Sequence, residues 1–367
     1  VATVGLAVSC AALAMPAPVG AEPAVRHAQA ASATIGHLAY QTNSGVIDLV
    51  TVHANGTTSG RRQIAPIQSS TSAHPVTVSN FVAAKDGSRL AWYESRVKTK
   101  HTFTTTLVLD NLVTSTITTV HTGVAPLGFA GHTLVGFGIH VQRLVLAPSP
   151  HFVRIHSNYP VTTYAHGVVD TLANSTDTSA TLRLTTLSGQ HTALHHYTDV
   201  SGPDYRDIEQ GWTSSDGKKL VVERGNHQDF GGLGPSSLVD EFGLHGSHHR
   251  TALGHYGTLA AAWRLHDVVF RGASDTVWAA FERLGTNGVV TAVAHYSGGT
   301  WHTLRSGAVE VAADTAGNLV VQPGKYTLEN ADANYYIPVA TSSALLIRHG
   351  STHALGVRGT QFFWVQG

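Results

Sequence analysis

The chain has 367 residues, 42% hydrophobic and 13% charged, enough apolar material to bury a sizeable core. Lys plus Arg and Asp plus Glu both number 23, so with neutral histidines the formal charge is zero, which argues against the broad basic surface that holds a nucleic-acid backbone. The 37 glycines, the abundance of Thr and Val and the lack of any long run with helical periodicity predict short strands joined by turns, an all-β class.

From the N-terminus, residues 4–15 form an apolar stretch of small and aliphatic side chains, short for a bilayer span of about 20 residues, and read as the hydrophobic part of a secretory signal. The basic residues that normally precede such a stretch are missing and the first residue is Val1, so the expectation is a signal peptide shortened at its start. Pro16 and Pro18 end the run, and Val19-Gly20-Ala21 before Glu22 carries small residues suited to signal peptidase. Ala28-Gln29-Ala30 is a second candidate cleavage site, and an N-terminal membrane anchor is the alternative use of the segment. Cys10, the single cysteine, follows Ala7-Val8-Ser9 in a loose match to a lipoprotein box, although Ala11-Ala12-Leu13-Ala14 replaces the usual polar residues. The expected organisation is a signal peptide over 1–21, a linker over 22–34 and a folded body over 35–367, secreted, without disulfides or a membrane span in the mature chain.

The body repeats. Lys85-Asp86-Gly87-Ser88-Arg89-Leu90-Ala91-Trp92 returns as Ser215-Asp216-Gly217-Lys218-Lys219-Leu220-Val221-Val222 and, more loosely, as Asp314-Thr315-Ala316-Gly317-Asn318-Leu319-Val320-Val321. In each, a glycine free to take positive φ makes a tight turn that feeds a hydrophobic strand. A second element, an alternating strand, a glycine turn and a short strand, occurs at Asn55-Gly56, Ser188-Gly189, Gly246-Ser247, Ser297-Gly298-Gly299 and Gly350-Ser351. The two elements together describe a four-stranded antiparallel unit, strands a and b joined by the first turn and c and d by the second, which is a propeller blade. Blades are predicted over 35–67, 76–121, 124–157, 164–199, 207–254, 259–305 and 308–356, making a single seven-bladed β-propeller with six blades as the alternative. The strand Thr360-Gln361-Phe362-Phe363-Trp364-Val365 is left over and is expected to close the ring by pairing near Ile35 to Tyr40.

The Asp-Gly turn followed by Leu90-Ala91-Trp92-Tyr93, with the later glycine hairpin, resembles the TolB-like, WD-type β-propeller repeats of secreted actinobacterial proteins. The resemblance spans most of 35–367, although the usual Ser-Pro-Asp-Gly stands here as Ala84-Lys85-Asp86-Gly87 and Ser214-Ser215-Asp216-Gly217. It implies an extracellular scaffold or a substrate filter, and the fold does not choose between them.

Histidine is the compositional oddity, with 24 copies, but His53, His191, His245, His302, His349 and His353 fall in or beside the c–d hairpins of different blades. They are therefore spread round the expected ring, and the group His245, His248 and His249 is read as a solvated turn, with no metal or other cofactor expected. Glutamates give another pattern: Glu94-Ser95-Arg96, Glu223-Arg224 and Glu282-Arg283 each lie towards the end of a b strand. The b–c and d–a connections share one end of a propeller, so these pairs are expected on one rim with the long b–c connections 96–103, 225–235 and 323–336. Those connections bring His227, Asp229, Tyr326 and Tyr335, and the d–a connection 199–209 adds Tyr205, Arg206 and Asp207. Carboxylates, Arg and Tyr beside glycine-rich loops suit a polar ligand. The alternative is that each Glu–Arg pair merely neutralises itself at a strand end.

No Gly-x-Ser-x-Gly elbow, His-Glu-x-x-His helix or phosphate loop is present. The leading expectation is a secreted, non-catalytic binding propeller whose b–c/d–a face recognises a glycan, a peptide or a cell-envelope protein. The alternative is an extracellular glycosidase or lyase with carboxylates near the axis, for which Glu223 and Asp207 are the candidates.

Overall fold

A computed structural model describes residues 32–68, 70–99, 102–173, 179–198, 207–225, 236–285, 288–330 and 335–365. The predicted signal peptide and most of the linker lie outside these. The described residues form seven consecutive antiparallel sheets and one 3-10 turn, Leu259–Ala261, an arrangement consistent with a β-propeller. Among them no helix is long and apolar enough to cross a membrane.

In sheet 1 the order is Gln361–Val365, Thr34–Gln41, Ile47–His53 and Thr58–Ala65. The strand from the far end of the chain thus takes first place, with Tyr40 opposite Phe362 and Leu38 opposite Trp364. Sheet 2 follows chain order through Val76–Ala83, Arg89–Thr99, Thr102–Asn111 and Thr116–His121. Sheet 3 comprises Ala125–Ala130, Thr133–Phe137, Val141–Val145 and His151–Arg154, and sheet 4 comprises Tyr159–Tyr164, Gly167–Ala173, Ala180–Thr186 and His191–Tyr197. Sheet 5 is Asp207–Thr213, Lys219–Gly225, Leu238–Gly243 and Arg250–Gly254, and sheet 6 is Arg264–Arg271, Thr276–Gly285, Gly288–Ser297 and Thr300–Ser306. Sheet 7 is Ala308–Ala313, Leu319–Asn330, Leu345–Arg348 and Ser351–Ala354, with Tyr335–Ala340 added alongside its long second strand.

The turn chemistry explains the sheet boundaries. Gly87 and Gly217 take φ values of 70° and 72°, each closing the hairpin between the first and second strands of its sheet, and Asp86 and Asp216 accept the amides of Ser88 and Lys218 two residues on. Two connections read from sequence as loops are strand over their described residues. The second and third strands of sheet 2 stay paired as far as Val97 with Phe103 and Thr99 with Thr102, and the long second strand of sheet 7 pairs with Tyr335–Ala340, Tyr326 facing Pro338 and Thr327 facing Ile337. In both, alternating β-branched and aromatic residues favour pairing over an open loop.

Burial lies between sheets. One apolar cluster joins sheets 1 and 2 around Ile47, Phe81 and Trp92, and corresponding clusters join 2 to 3, 3 to 4, 4 to 5, 5 to 6 and 6 to 7. A seventh, containing Leu38, Tyr40 and Phe362 together with Val320 and Leu346, joins sheet 7 to sheet 1. The first strands also lie each against the next, and the series returns to its start: the first strand of sheet 7 lies against Gln361–Val365, and that strand against the first strand of sheet 2.

In sheets 2 to 7 the pairing of first and second strands is broken by a register shift, for instance between Ile208 and Gln210, Leu265 and Asp267, and Ala308 and Glu310. Such bulges bend a strand and re-aim the side chains that follow.

Candidate functional site

The first strands of sheets 1, 2, 5, 6 and 7, with the C-terminal strand, border a half-open cavity of about 950 Å³. The residues just past the bulges of sheets 5, 6 and 7 all border it: Gln210, Asp267 and Glu310. Trp212 and Trp364 supply apolar wall, and Lys85 enters from the turn of sheet 2. The bulges thus turn three polar side chains from neighbouring sheets towards one space.

The Asp267 and Glu310 carboxyl groups lie within hydrogen-bonding reach of each other. Burial, then the negative charge of Asp267 and the bond between them, raise Glu310 well above the usual carboxylate range. Asp267 is also raised by burial, with His266 and Lys85 opposing. Both carboxyl groups are thus held towards the protonated form, Glu310 the more strongly. Lys85 is accessible within the cavity yet surrounded by protein, so burial lowers its ammonium pKa and the charge of Asp267 works against that shift.

Behind the pair stands His266, the bulged residue, with Nε2 3.9 Å from Glu310 Oε2 and Nδ1 3.9 Å from Glu282 Oε2. The ring of Tyr326 meets the imidazole edge-on, with centroids 5.6 Å apart. Burial, then the nearby Glu282 carboxylate, raise the Tyr326 phenol. Glu282 Oε2 and the Tyr326 hydroxyl are buried without a well-directed hydrogen bond. Unsatisfied buried polar atoms are costly, and their presence here marks a site for which polar satisfaction is incomplete.

The other glutamates taken from the b strands have structural partners. Glu94 is fully buried and accepts the Ile67 and Gln68 amides at 2.7 and 3.2 Å and Trp92 Nε1 at 2.9 Å, tying the connection from sheet 1 to its own sheet. Glu223 is 1% exposed and accepts the Leu265 amide at 2.9 Å, holding the entry to sheet 6. Gln322 of sheet 7 does the same for Gly359 on the way to sheet 1. Buried charge needs such donors, so these two glutamates sit inside the stack and not on an exposed rim. Glu282 faces sheet 7 from the corresponding side of sheet 6 and meets His266 and Tyr326 instead of an amide.

The arginines separate from their sequence neighbours. Arg224 bonds Asp240 at 3.0 Å, Arg283 lies over the Trp263 ring at 5.0 Å, and Arg96 is half-buried opposite Val76. Asp207 opens the first strand of sheet 5 opposite Gly225, and Tyr335 opens the added strand of sheet 7 opposite Asn330. Tyr205, Arg206, His227 and Asp229 lie outside the described residues. Lys85, His266, Asp267 and Glu310 were not singled out as site residues; Lys85 belonged to a repeat motif, and the two acids follow bulges that no local motif announces. Among the described residues no group of three or more His, Cys, Asp or Glu is arranged to hold a metal ion.

The proton on Glu310 has a consequence for stability. An unfolded glutamate titrates near its ordinary 4.5, whereas the folded Glu310 keeps its proton to higher pH. Above that pH the unfolded state releases a proton that the folded state retains, so stability falls as pH rises, by at most about 1.4 kcal/mol per pH unit for one proton. Glu310→Gln is expected to flatten this decline and to raise the melting temperature at neutral pH, measured by thermal unfolding between about pH 4.5 and 8. An unchanged profile would contradict the upward shift of Glu310.

No protein-family model and no curated protein matches the chain. Among solved structures it is similar to an oligogalacturonate lyase in complex with manganese, at 12% identity and a TM-score of 0.46 over 86% of this chain and 82% of that one. It is also similar to a protein from Lactobacillus plantarum, at 11% identity and a TM-score of 0.45 over 89% and 98% of the two chains. The β-propeller domain of the Trilobed protease from Pyrococcus furiosus matches at 8% identity and a TM-score of 0.34 over 76% and 71%. At this distance none of them bears on what this chain binds or does.

Proposed function

We propose that the chain is a secreted, closed seven-bladed β-propeller of the TolB-like kind that binds a hydroxyl-rich ligand, a glycan or its fragment, in the cavity between its inner strands. A row of seven sheets has six junctions; the seventh apolar cluster, between sheets 7 and 1, supports a ring. The pairing of Gln361–Val365 with Thr34–Gln41 supports closure by the C-terminal strand.

The observation that carries the ligand class is the close pair of carboxyl groups, Asp267 and Glu310, on the wall of one cavity, with burial holding Glu310 towards its protonated form. A carboxylic acid beside a carboxylate offers a donor and several acceptors within a few ångströms, the pattern that two adjacent sugar hydroxyls complete, and it buries one charge instead of two. Gln210 adds an amide with both donor and acceptor, Trp212 and Trp364 give flat apolar walls, and about 950 Å³ suits a small saccharide.

Calorimetric titration of the whole chain with neutral and acidic mono- and oligosaccharides tests the reading. Binding is expected to weaken about ten- to a hundredfold in Asp267→Asn, since hydrogen bonds to a charged group contribute about 1.5–3 kcal/mol. Failure of every saccharide to bind, or equal affinity in the variant, would remove the proposal.

A glycosidase or lyase is the second reading, favoured by the proton held on Glu310, which a general acid needs near neutrality. The direct contact of Asp267 and Glu310 is closer than the roughly 5–9.5 Å that separates the carboxyl groups of most glycosidases, which places binding first. Release of new reducing ends from a bound oligosaccharide, lost in Glu310→Gln, would reverse that order.

A further inference from the structure

Sheets 2 and 3 are joined by 122–124 alone, so the end at which the chain leaves sheet 2 is the end at which it enters sheet 3. The Val97 amide bonds the Pro75 carbonyl at the entry of sheet 2, and Phe137 pairs with Ala125 at the entry of sheet 3. Val97 and Phe103 of sheet 2 and Phe137 of sheet 3 therefore lie towards the same end of their two consecutive sheets. These two sheet tips carry large apolar side chains in the open: Val97 and its cross-strand partner Phe103 at 36% and 69% exposure, Phe137 at 44% and Ile139 at 91%. Single exposed apolar residues are ordinary; four gathered at the same end of two consecutive sheets are not.

The charge at this end has one sign. Arg96 and the exposed Lys98 flank Val97. Between Ile67 and Tyr159 the only acidic residues are Asp86, Glu94 and Asp110. Glu94 and Asp110 are buried, and Asp86 lies in the turn at the opposite end of sheet 2. The chain as a whole is neutral, so this cationic end is a local feature.

We propose that this end of sheets 2 and 3 docks on an anionic lipid surface, with Phe103 and Ile139 inserted at the level of the headgroups and Arg96 and Lys98 on the phosphates. A side chain as exposed as Ile139 has almost no protein beside it, and two separate tips present no continuous face for a partner protein to match. A bilayer interface is fluid and closes round each tip separately, while basic side chains next to apolar ones are drawn to its negative potential. The inference is independent of the saccharide reading, because none of these residues borders the cavity.

The test is co-sedimentation of the whole chain with vesicles of phosphatidylcholine alone or mixed with phosphatidylglycerol. Binding is expected on the mixed vesicles only and is expected to weaken with salt. Phe103→Ser with Ile139→Ser is expected to lower the partition coefficient at least about tenfold, and Lys98→Glu to lower it on mixed vesicles. The apolar run 4–15 is common to all the variants, so any contribution it makes cancels in the comparison. These exposed positions leave folding unaltered, verified by an unchanged melting temperature. Equal sedimentation of tip variants and parent, equal binding to both vesicle types, or no binding to either would overturn the proposal; the last, joined to a soluble protein that binds the parent and not the tip variants, would assign the surface to that partner.

Discussion

Asp170→Ala is expected to destabilise the protein by about 3–5 kcal/mol, with the denaturant dependence unchanged, in urea unfolding. The Asp170 carboxylate is fully buried in the second strand of sheet 4 and accepts five hydrogen bonds. Arg183 donates Nε to Oδ1 at 3.1 Å and Nη2 to Oδ2 at 2.8 Å, and Thr185 donates its hydroxyl to Oδ1 at 3.1 Å. The Ser157 hydroxyl and the Asn158 amide complete the set at 2.9 and 3.0 Å, so the same carboxylate fastens the link from sheet 3. The Arg183 side chain is 13% exposed, and losing its carboxylate leaves a guanidinium with little water to replace it. Adding Arg183→Met to Asp170→Ala should recover much of the loss, because the second substitution removes the stranded charge and keeps volume. A loss under about 1 kcal/mol in the single variant would mean that water or a neighbour satisfies the arginine.

Phe362→Ala should cost a similar amount, about 3–5 kcal/mol, through lost burial and the cavity it leaves. Phe362 is 3% exposed and stacks on Tyr40 with ring centroids 5.7 Å apart and planes 18° from parallel. It belongs to the cluster shared by sheets 7 and 1, so in a closed ring the loss spreads to every junction and the melting transition moves as one. Differential scanning calorimetry distinguishes the alternatives. A second, low-temperature transition appearing in the variant would show that this junction opens on its own, as the end of an unclosed row would.

Both experiments concern residues whose roles were hidden in different ways. Asp86-Gly87 and Asp216-Gly217 announce their hairpins locally, because positive φ at glycine and an aspartate accepting an amide two residues ahead are matters of neighbouring atoms. The hydrophobic strands that follow, such as Leu90-Ala91-Trp92 and Leu220-Val221-Val222, are buried because alternate residues face two neighbouring sheets. Turn and strand therefore repeat together, and the repeat unit, the antiparallel sheets and the pairing of the last strand with Thr34–Gln41 could be read from the order of residues alone.

The candidate site could not. Glu94, Glu223 and Glu282 look alike along the chain, each a carboxylate towards the end of a strand and close to an arginine. What separates them is the neighbour that each meets: the Ile67 and Gln68 amides for Glu94, the Leu265 amide for Glu223, and His266 with Tyr326 for Glu282. Asp267 and Glu310 carry no motif, and Lys85 is far from both in sequence. They share one cavity because the bulges after Leu265 and Ala308 turn them inward and because the inner strands of distant sheets lie together. Turn formation and strand alternation are decided within a few residues of chain, so composition and order determine them; which carboxylate keeps its proton is decided by burial and by charges brought from other sheets, and only the tertiary structure supplies those.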